Sequence, residues 1–181
     1  MTREKNMLPR TKIYIGGAVT TERIEKILEL LEKYKFYGSL RSKDNHSLSK
    51  TCSINEVVKR ASNQEESLCV TCSGMEIPNE VLTAIIAVGL HYRLEIECTK
   101  GLIFVLTYID GQEASGSVLD GNPIISEKAI RKAHESRKIP DIIKNMERLS
   151  MLPEKFVVLE SAREQLAHEK NHKSAQSKAH T

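Results

Sequence analysis

Two short polar segments follow apolar stretches of the chain, and each could bind a ligand. Gly16 and Gly17 close the apolar segment KIYIGG, and Thr20 and Thr21 follow them. In an open α/β sheet, ligands lie beyond the carboxyl ends of the strands, where such elbows and helix N-termini present backbone N–H donors. Arg23, in the first turn of the next predicted helix, could reach a phosphate there. The competing interpretation is that a strand-to-helix turn requires small residues whether or not a phosphate binds.

The second elbow carries a carboxylate. Ser73 and Gly74 follow the apolar segment LCVTC, and Pro78 with Asn79 indicates the entrance of a helix. Glu80 stands in the first turn of that helix, where a negative charge interacts favourably with the helix dipole. The dipole is one explanation of this glutamate, and a functional role is the other. If the two preceding strands are neighbours, both elbows face one crevice.

The four cysteines are a third candidate group. Cys52, Cys69, Cys72 and Cys98 could together supply four thiolates for zinc. Residues i and i+3 of a strand, such as Cys69 and Cys72, point to opposite faces, which disfavours a shared metal. Redox-active cysteine pairs lie at a helix N-terminus, whereas Cys69 and Cys72 lie in a predicted strand. We therefore expect reduced, buried cysteines and predict neither a metal site nor a cofactor.

Two histidines could transfer protons. His46 lies in the polar segment RSKDNHSLSKTCS, which is predicted to be a mobile surface loop, and His91 follows a helix exit at Gly89. Neither has an identifiable partner in the sequence. A structural or solvated role therefore competes with a catalytic one for both.

Hydrophobic periodicity predicts the elements that must position these residues. The stretch 81–90 is apolar all round, so it should be a helix covered by its own domain or by another subunit. Lys100-Gly101 predicts a tight turn and hence an antiparallel hairpin. The segment EKFVVLE is compatible with a last strand or with the start of a helix. Predicted strands are 12–17, 36–40, 67–72, 93–98, 102–109 and 113–119, and predicted helices begin at 20–21, 53, 78–79 and 126, with a break at Pro140.

A weak internal repeat favours a fold class. The segments beginning at Ile13 and at Leu68 both read as strand, polar elbow, helix and strand, and two such units in tandem build a right-handed parallel sheet. We therefore predict one Rossmann-like α/β domain over residues 11–160, with a mixed sheet and the antiparallel hairpin near Lys100-Gly101. The alternative is an α+β sandwich built around that hairpin. Residues 1–10 and the basic segment 161–181 are predicted to be disordered.

The segment GGAVTTERIEKILELLEKY after KIYI, followed by SLCVTCSG and EVLTAIIAVGLHYRLEI, resembles the nucleoside 2-deoxyribosyltransferase and nucleotide N-glycoside hydrolase fold over residues 12–98. Glu80-Val81-Leu82-Thr83-Ala84 matches the glutamate, the aliphatic residue and the alanine of that family's nucleophile motif. The resemblance implies that Glu80 attacks the anomeric carbon of a nucleoside or nucleotide as the base leaves. It implies that Gly16, Gly17, Thr20, Thr21, Arg23, Ser73, Gly74 and Asn79 bind the substrate.

Composition leaves a non-enzymatic class open. The charged N-terminus and the absence of a long apolar stretch predict a cytoplasmic protein without a membrane span, and the net charge of +3 does not by itself indicate nucleic-acid binding. The same scaffold could instead serve as a ligand-binding or protein-interaction module, and the apolar helix 81–90 favours a homo-oligomer. A third hypothesis is a nucleic-acid surface at residues 128–148 and the basic tail, against which stands an ordinary solvated helix face.

Overall fold

The computed structural model describes residues 10–39, 51–52, 58, 67–73, 77–99 and 101–159. Predictions for the N-terminal segment, His46, the helix behind Ser53, Gly74, Lys100 and the tail from 160 lie outside these residues. The described residues form a sheet with helices on both of its faces. The strands are β1 Arg10–Thr20, β2 Tyr37–Ser39, β3 Thr51–Cys52, β4 Leu68–Ser73, β5 His91–Thr99, β6 Leu102–Ile109, β7 Gln112–Leu119, β8 Asn122–Ile124 and β9 Phe156–Leu159; the helices are α1 Thr21–Lys33, α2 Asn79–Ala87, α3 Glu127–Glu135 and α4 Ile139–Ser150.

The two predicted strand-helix-strand units are present, but they interleave instead of following each other. The strand order is β3-β2-β4-β1-β5-β6-β7-β8, so β4 lies between the two strands of β1–α1–β2, and β1 lies between the two strands of β4–α2–β5. Each crossover returns the chain parallel to its start, yet every neighbouring pair along this order is antiparallel. This is the split β-α-β arrangement. Mixed helix and strand content is therefore confirmed, whereas the parallel, Rossmann-like sheet is not what the structure shows.

The second half of the sheet is a meander of tight turns. The predicted antiparallel hairpin is confirmed, since β5 pairs with β6 and Gly101 between them has φ +81°. Asp110 and Gly111 between β6 and β7 both have positive φ, as do Asp120 and Gly121 between β7 and β8. Positive φ at both central residues suits a two-residue hairpin turn, for which Asp-Gly is a preferred sequence.

One face of the sheet, called the helix face below, carries α1 and α2. Alternate strand residues such as Ile13, Val70 and Leu94 point to this face and are buried there. Helix α1 adds Ile24, Ile27, Leu30 and Leu31, and α2 adds Val81 and Ile85. The helix predicted over 81–90 thus begins at Asn79, where Pro78 precedes it as expected, and ends at Ala87.

The opposite face is covered over β6 and β7 by the helical hairpin, residues 127–150, which contains α3 and α4. Leu149 packs with Val105, Ala114 and Val118 in a second apolar cluster. Gly116 allows this approach, because a Cβ at that position would lie 2.6 Å from Leu149 Cδ1. As predicted, Ser126 caps α3: its Oγ accepts a hydrogen bond from the Ala129 amide at 3.2 Å.

The chain then returns to β1. The segment EKFVVLE contains a strand, since β9 pairs in parallel with residues 17–20. Residues 153–155 cross β1 at Gly16 and Gly17, and the Gly17 amide donates a hydrogen bond to the Lys155 carbonyl at 3.1 Å. Strand β1 is therefore longer than the predicted 12–17, because its second half has a pairing partner 139 residues away in the sequence.

Candidate functional site

Glu80 lies at the surface, between the end of α1 and the start of α2. Its Oε2 accepts a hydrogen bond from Tyr34 Oη at 2.7 Å and lies 3.3 Å from Lys33 Nζ. Lys33 Nζ also lies 4.9 Å from the centre of the Tyr34 ring. The side chains of Lys33 and Glu80 are both more than half exposed. The contact joins the two helices of the helix face at one end.

This environment favours the charged forms of both residues. The Tyr34 hydroxyl, and after it Lys33, lower the pKa of the Glu80 carboxyl below its ordinary value. Tyr34, and after it Glu80, raise the pKa of the Lys33 ammonium. Glu80 is therefore a carboxylate at neutral pH, which a nucleophile would need to be, but solvent screens a pair of such high exposure.

The two predicted binding elbows do not face one crevice. Because β1 and β4 are antiparallel, Arg10 pairs with Ser73 and Ile15 pairs with Leu68. The elbow after β1 and the elbow after β4 therefore lie at opposite ends of the sheet, about 20 Å apart for six residues of strand. The crevice required neighbouring parallel strands, and the sequence repeat cannot distinguish neighbouring strands from interleaved ones.

The residues of the first elbow contact the end of the described chain. Gly16 and Gly17 lie within β1 under residues 153–155. Thr20 is buried and precedes α1 without a side-chain cap, whereas the Thr21 hydroxyl donates to the Leu159 carbonyl at 3.4 Å. Arg23 is exposed on α1. The small residues of this elbow are thus explained by close passage of the backbone.

The second elbow is only partly described. Ser73 is the last residue of β4, Gly74 lies outside the described residues, and Asn79 is the exposed first residue of α2. Of the predicted site residues, the structure thus brings Asn79 and Glu80 together on one helical turn and places the first elbow far from both.

His91 has partners that no sequence pattern indicated. Its Nε2 lies 3.9 Å from Asp110 Oδ1, and its Nδ1 lies 3.7 Å from Glu154 Oε1. The first carboxylate comes from the turn after β6 and the second from the segment that crosses β1. The His91 ring therefore lies between two carboxylates that come from distant parts of the chain. The Asp110-Gly111 turn was recognisable in the sequence, but its position beside His91 depends on the sheet order.

Cys69 and Cys72 lie on the same strand, but on opposite faces of it. Cys69 pairs with Tyr14 and Cys72 with Thr11, so the two thiols point to opposite faces of β4. Burial raises the pKa of the Cys72 thiol, which disfavours the reactive thiolate. Cys98 is exposed at the far end of β5. Among the described residues, no three histidine, cysteine or acidic side chains come together as a metal site.

Comparison of the chain with protein-family models, curated protein sequences and solved structures finds no significant match. In the part of the chain that the structure describes, none of the helices has the length and apolar character needed to cross a membrane.

Proposed function

We propose that the chain is a non-enzymatic protein-interaction module that binds a second copy of itself through the outer part of the helix face. The observation that carries this proposal is a group of apolar side chains on β6, β7 and β8, of which three are exposed and one, Leu102, is partly buried. This group, the apolar strip, consists of Leu102, Phe104, Leu119 and Ile124.

Strand register makes the apolar strip continuous. Leu102 lies opposite Leu119, and Phe104 lies opposite Ser117, which in turn lies opposite Ile124. All point to the helix face, beyond the area that α1 and α2 cover. Phe104, Leu119 and Ile124 are 38%, 43% and 44% exposed. Contiguous exposed apolar side chains are typical of protein-protein contact sites, whereas isolated ones are ordinary.

The surroundings of the apolar strip favour a second copy as its partner. The polar side chains directly beside these residues are Ser117 and Asn122, which carry no charge; Glu113, on the same face of β7, lies opposite Tyr108, two residue pairs away from Phe104. In a two-fold symmetric contact each patch meets itself, so an uncharged patch has no like-charge repulsion to overcome. Addition of a strand at the edge is disfavoured, because β8 is three residues long and Pro123 at its centre has no amide donor.

Replacing Phe104 with lysine is expected to weaken self-association at least tenfold, because it places a like charge from each copy near the two-fold axis of the contact. Analytical ultracentrifugation of wild type and variant over a concentration series, at low and high salt, measures the effect. High salt should partly restore association of the variant by screening the introduced charges.

The matched control is Ile143→Lys. Ile143 is 50% exposed, so the change introduces the same charge at a similarly exposed apolar residue, but on α4 at the opposite face. This variant should associate as the wild type does. A wild type that stays monomeric up to submillimolar concentration, or equal weakening by both variants, would exclude the apolar strip as the contact.

A second function, N-glycosyl hydrolysis or transfer on a nucleoside or nucleotide, has one observation in its favour. Glu80 is ionised at neutral pH and hydrogen-bonded to a tyrosine hydroxyl, which would hold the carboxylate in one orientation. The elbow predicted to bind the rest of the substrate lies at the other end of the sheet, so this function ranks below self-association.

If Glu80 is a nucleophile, Glu80→Gln should abolish release of free base while leaving nucleotide affinity close to that of the wild type, because the amide has a similar size but cannot form the covalent intermediate. Chromatography of the products from a nucleoside and nucleotide panel measures this release. Glu147→Gln, the same change at an exposed position of α4 on the opposite face of the sheet, is the control and should leave turnover unchanged. Absence of turnover in the wild type across the panel would end the enzymatic proposal.

A further inference from the structure

We infer that the helical hairpin, residues 127–150, binds the phosphate backbone of a nucleic acid. This inference concerns the face opposite the apolar strip and does not depend on self-association.

The net charge of the chain is concentrated in the helical hairpin. Seven of its residues are basic and four are acidic, whereas the rest of the chain contains twenty basic and twenty acidic residues. The formal charge of +3 is therefore that of the hairpin alone. The basic residues are Lys128, Arg131, Lys132, Arg137, Lys138, Lys144 and Arg148.

The basic side chains of the hairpin are accessible. Helix α4 packs on the sheet, and α3 packs on α4, so that Ala133 is the sole buried residue of α3. Arg131 is held by Glu127, with Nε 2.9 Å from its carboxylate. Five other cations are exposed and have no ion pair or hydrogen-bonded carboxylate among the residues that the structure describes: Lys128, Lys132, Arg137, Lys138 and Lys144.

The positions of these cations are not all explained by helix stability. A cation near the C-terminus of a helix is stabilised by the helix dipole, which accounts for Lys132. Lys128 is the second residue of α3, where the same dipole disfavours a positive charge. Lys128 and Lys132 are four residues apart and hence on one side of the helix. The same exposed side of α3 also carries Arg131, Glu127 and Glu135.

The side-chain chemistry favours the backbone of a nucleic acid over its bases. Four of the five unpaired cations are lysines, which bind phosphate as point charges. Residues 127–150 contain no Phe, Tyr or Trp, the large aromatic side chains on which bases commonly stack. Contacts to phosphate alone position a nucleic acid without reading its sequence. Binding should therefore be independent of sequence and strongly dependent on salt.

The test is fluorescence anisotropy of a labelled random-sequence DNA duplex with the 181-residue chain over a salt series. If all five cations contact phosphates, log K should fall against log salt with a slope of up to about −4.5, since each contact contributes roughly −0.9. The double variant Lys128→Glu/Lys132→Glu should bind more weakly at every salt concentration and lower that slope by about 2.

The matched control is Lys26→Glu/Lys35→Glu, which makes the same change in net charge at exposed positions outside the hairpin. It should retain most of the affinity and the wild-type slope. Three results would overturn the inference: no binding of the wild type at low salt, equal weakening by the two double variants, or competition by polyglutamate as effective as that by unlabelled duplex at equal charge. The last result would assign the surface to acidic proteins.

Discussion

Replacing Arg93 with methionine is expected to lower the free energy of unfolding by about 3 kcal/mol, because it leaves the largely buried carboxylate of Glu95 and two carbonyl groups without their partner. Arg93 is 7% exposed. Its guanidinium donates to the Leu149 and Met151 carbonyls at the end of α4, and its Nε lies 2.7 Å from Glu95 Oε1. Methionine preserves most of the apolar stem, so the loss reports the polar contacts. Urea denaturation measures it.

The double variant Arg93→Met/Glu95→Gln separates two parts of this effect. The double variant no longer has the unpaired carboxylate at position 95, but it still lacks the hydrogen bonds to the Leu149 and Met151 carbonyls. It should therefore recover only part of the lost stability. Hydrogen exchange of the α4 amides should still be faster than in the wild type, since the end of α4 is released from β5. A decrease in the free energy of unfolding of less than about 1 kcal/mol for the single variant would show that the polar contacts of Arg93 contribute little to stability.

The burial of Arg93 could not be predicted from the sequence around it. The alternation of charged and apolar residues over 93–98 predicted a strand with one exposed face; the strand is present as β5, but its burial does not alternate, since Tyr92, Arg93 and Leu94 are all buried. Its charged side lies partly under the end of α4, which comes from more than fifty residues further along the chain. Alternation reveals which residues share a face, but a distant helix decides whether that face meets water.

Local signals predicted the elements they act on. Ser126 caps α3, Pro78 precedes α2, and the turn at Gly101 joins two antiparallel strands, because each depends on backbone geometry within a few residues. Strand neighbours depend on contacts between distant segments. The repeat of strand, helix and strand is the same whether the two units follow each other or interleave, and here they interleave.

In the candidate site too, features set by the local sequence were predicted, whereas features set by contacts between distant segments were not. Glu80 was correctly expected in the first turn of a helix, but its partners Lys33 and Tyr34 come from the end of α1, which the predicted topology did not place beside it. Gly16 and Gly17 were singled out because they lie on an elbow after an apolar segment, where backbone N–H groups can meet a ligand. Glycine is equally needed where one backbone crosses another. The local sequence does not reveal which distant segment crosses β1, so it cannot distinguish a ligand site from a backbone crossing.

Replacing Gly16 with alanine tests that crossing directly, and we expect a loss of about 3 kcal/mol of stability, at the upper end for overpacking of an interior. The added Cβ would lie 1.9 Å from the Glu154 carbonyl oxygen and 2.8 Å from Pro153 Cβ, so residues 153–155 must move away from β1. That movement should break the hydrogen bond from the Gly17 amide to Lys155 and weaken the pairing of β9. Denaturant unfolding, with hydrogen exchange of residues 17–20, measures both effects.

Gly89→Ala is the control. Gly89 has φ +81° and no atom within 4 Å of the added Cβ, so this variant should lose about 1 kcal/mol of stability, the penalty of a left-handed backbone, without any change of hydrogen exchange in β1. Equal losses in the two variants, with exchange in β1 unchanged, would mean that the crossing contributes little and would leave ligand binding as the explanation for the glycine pair.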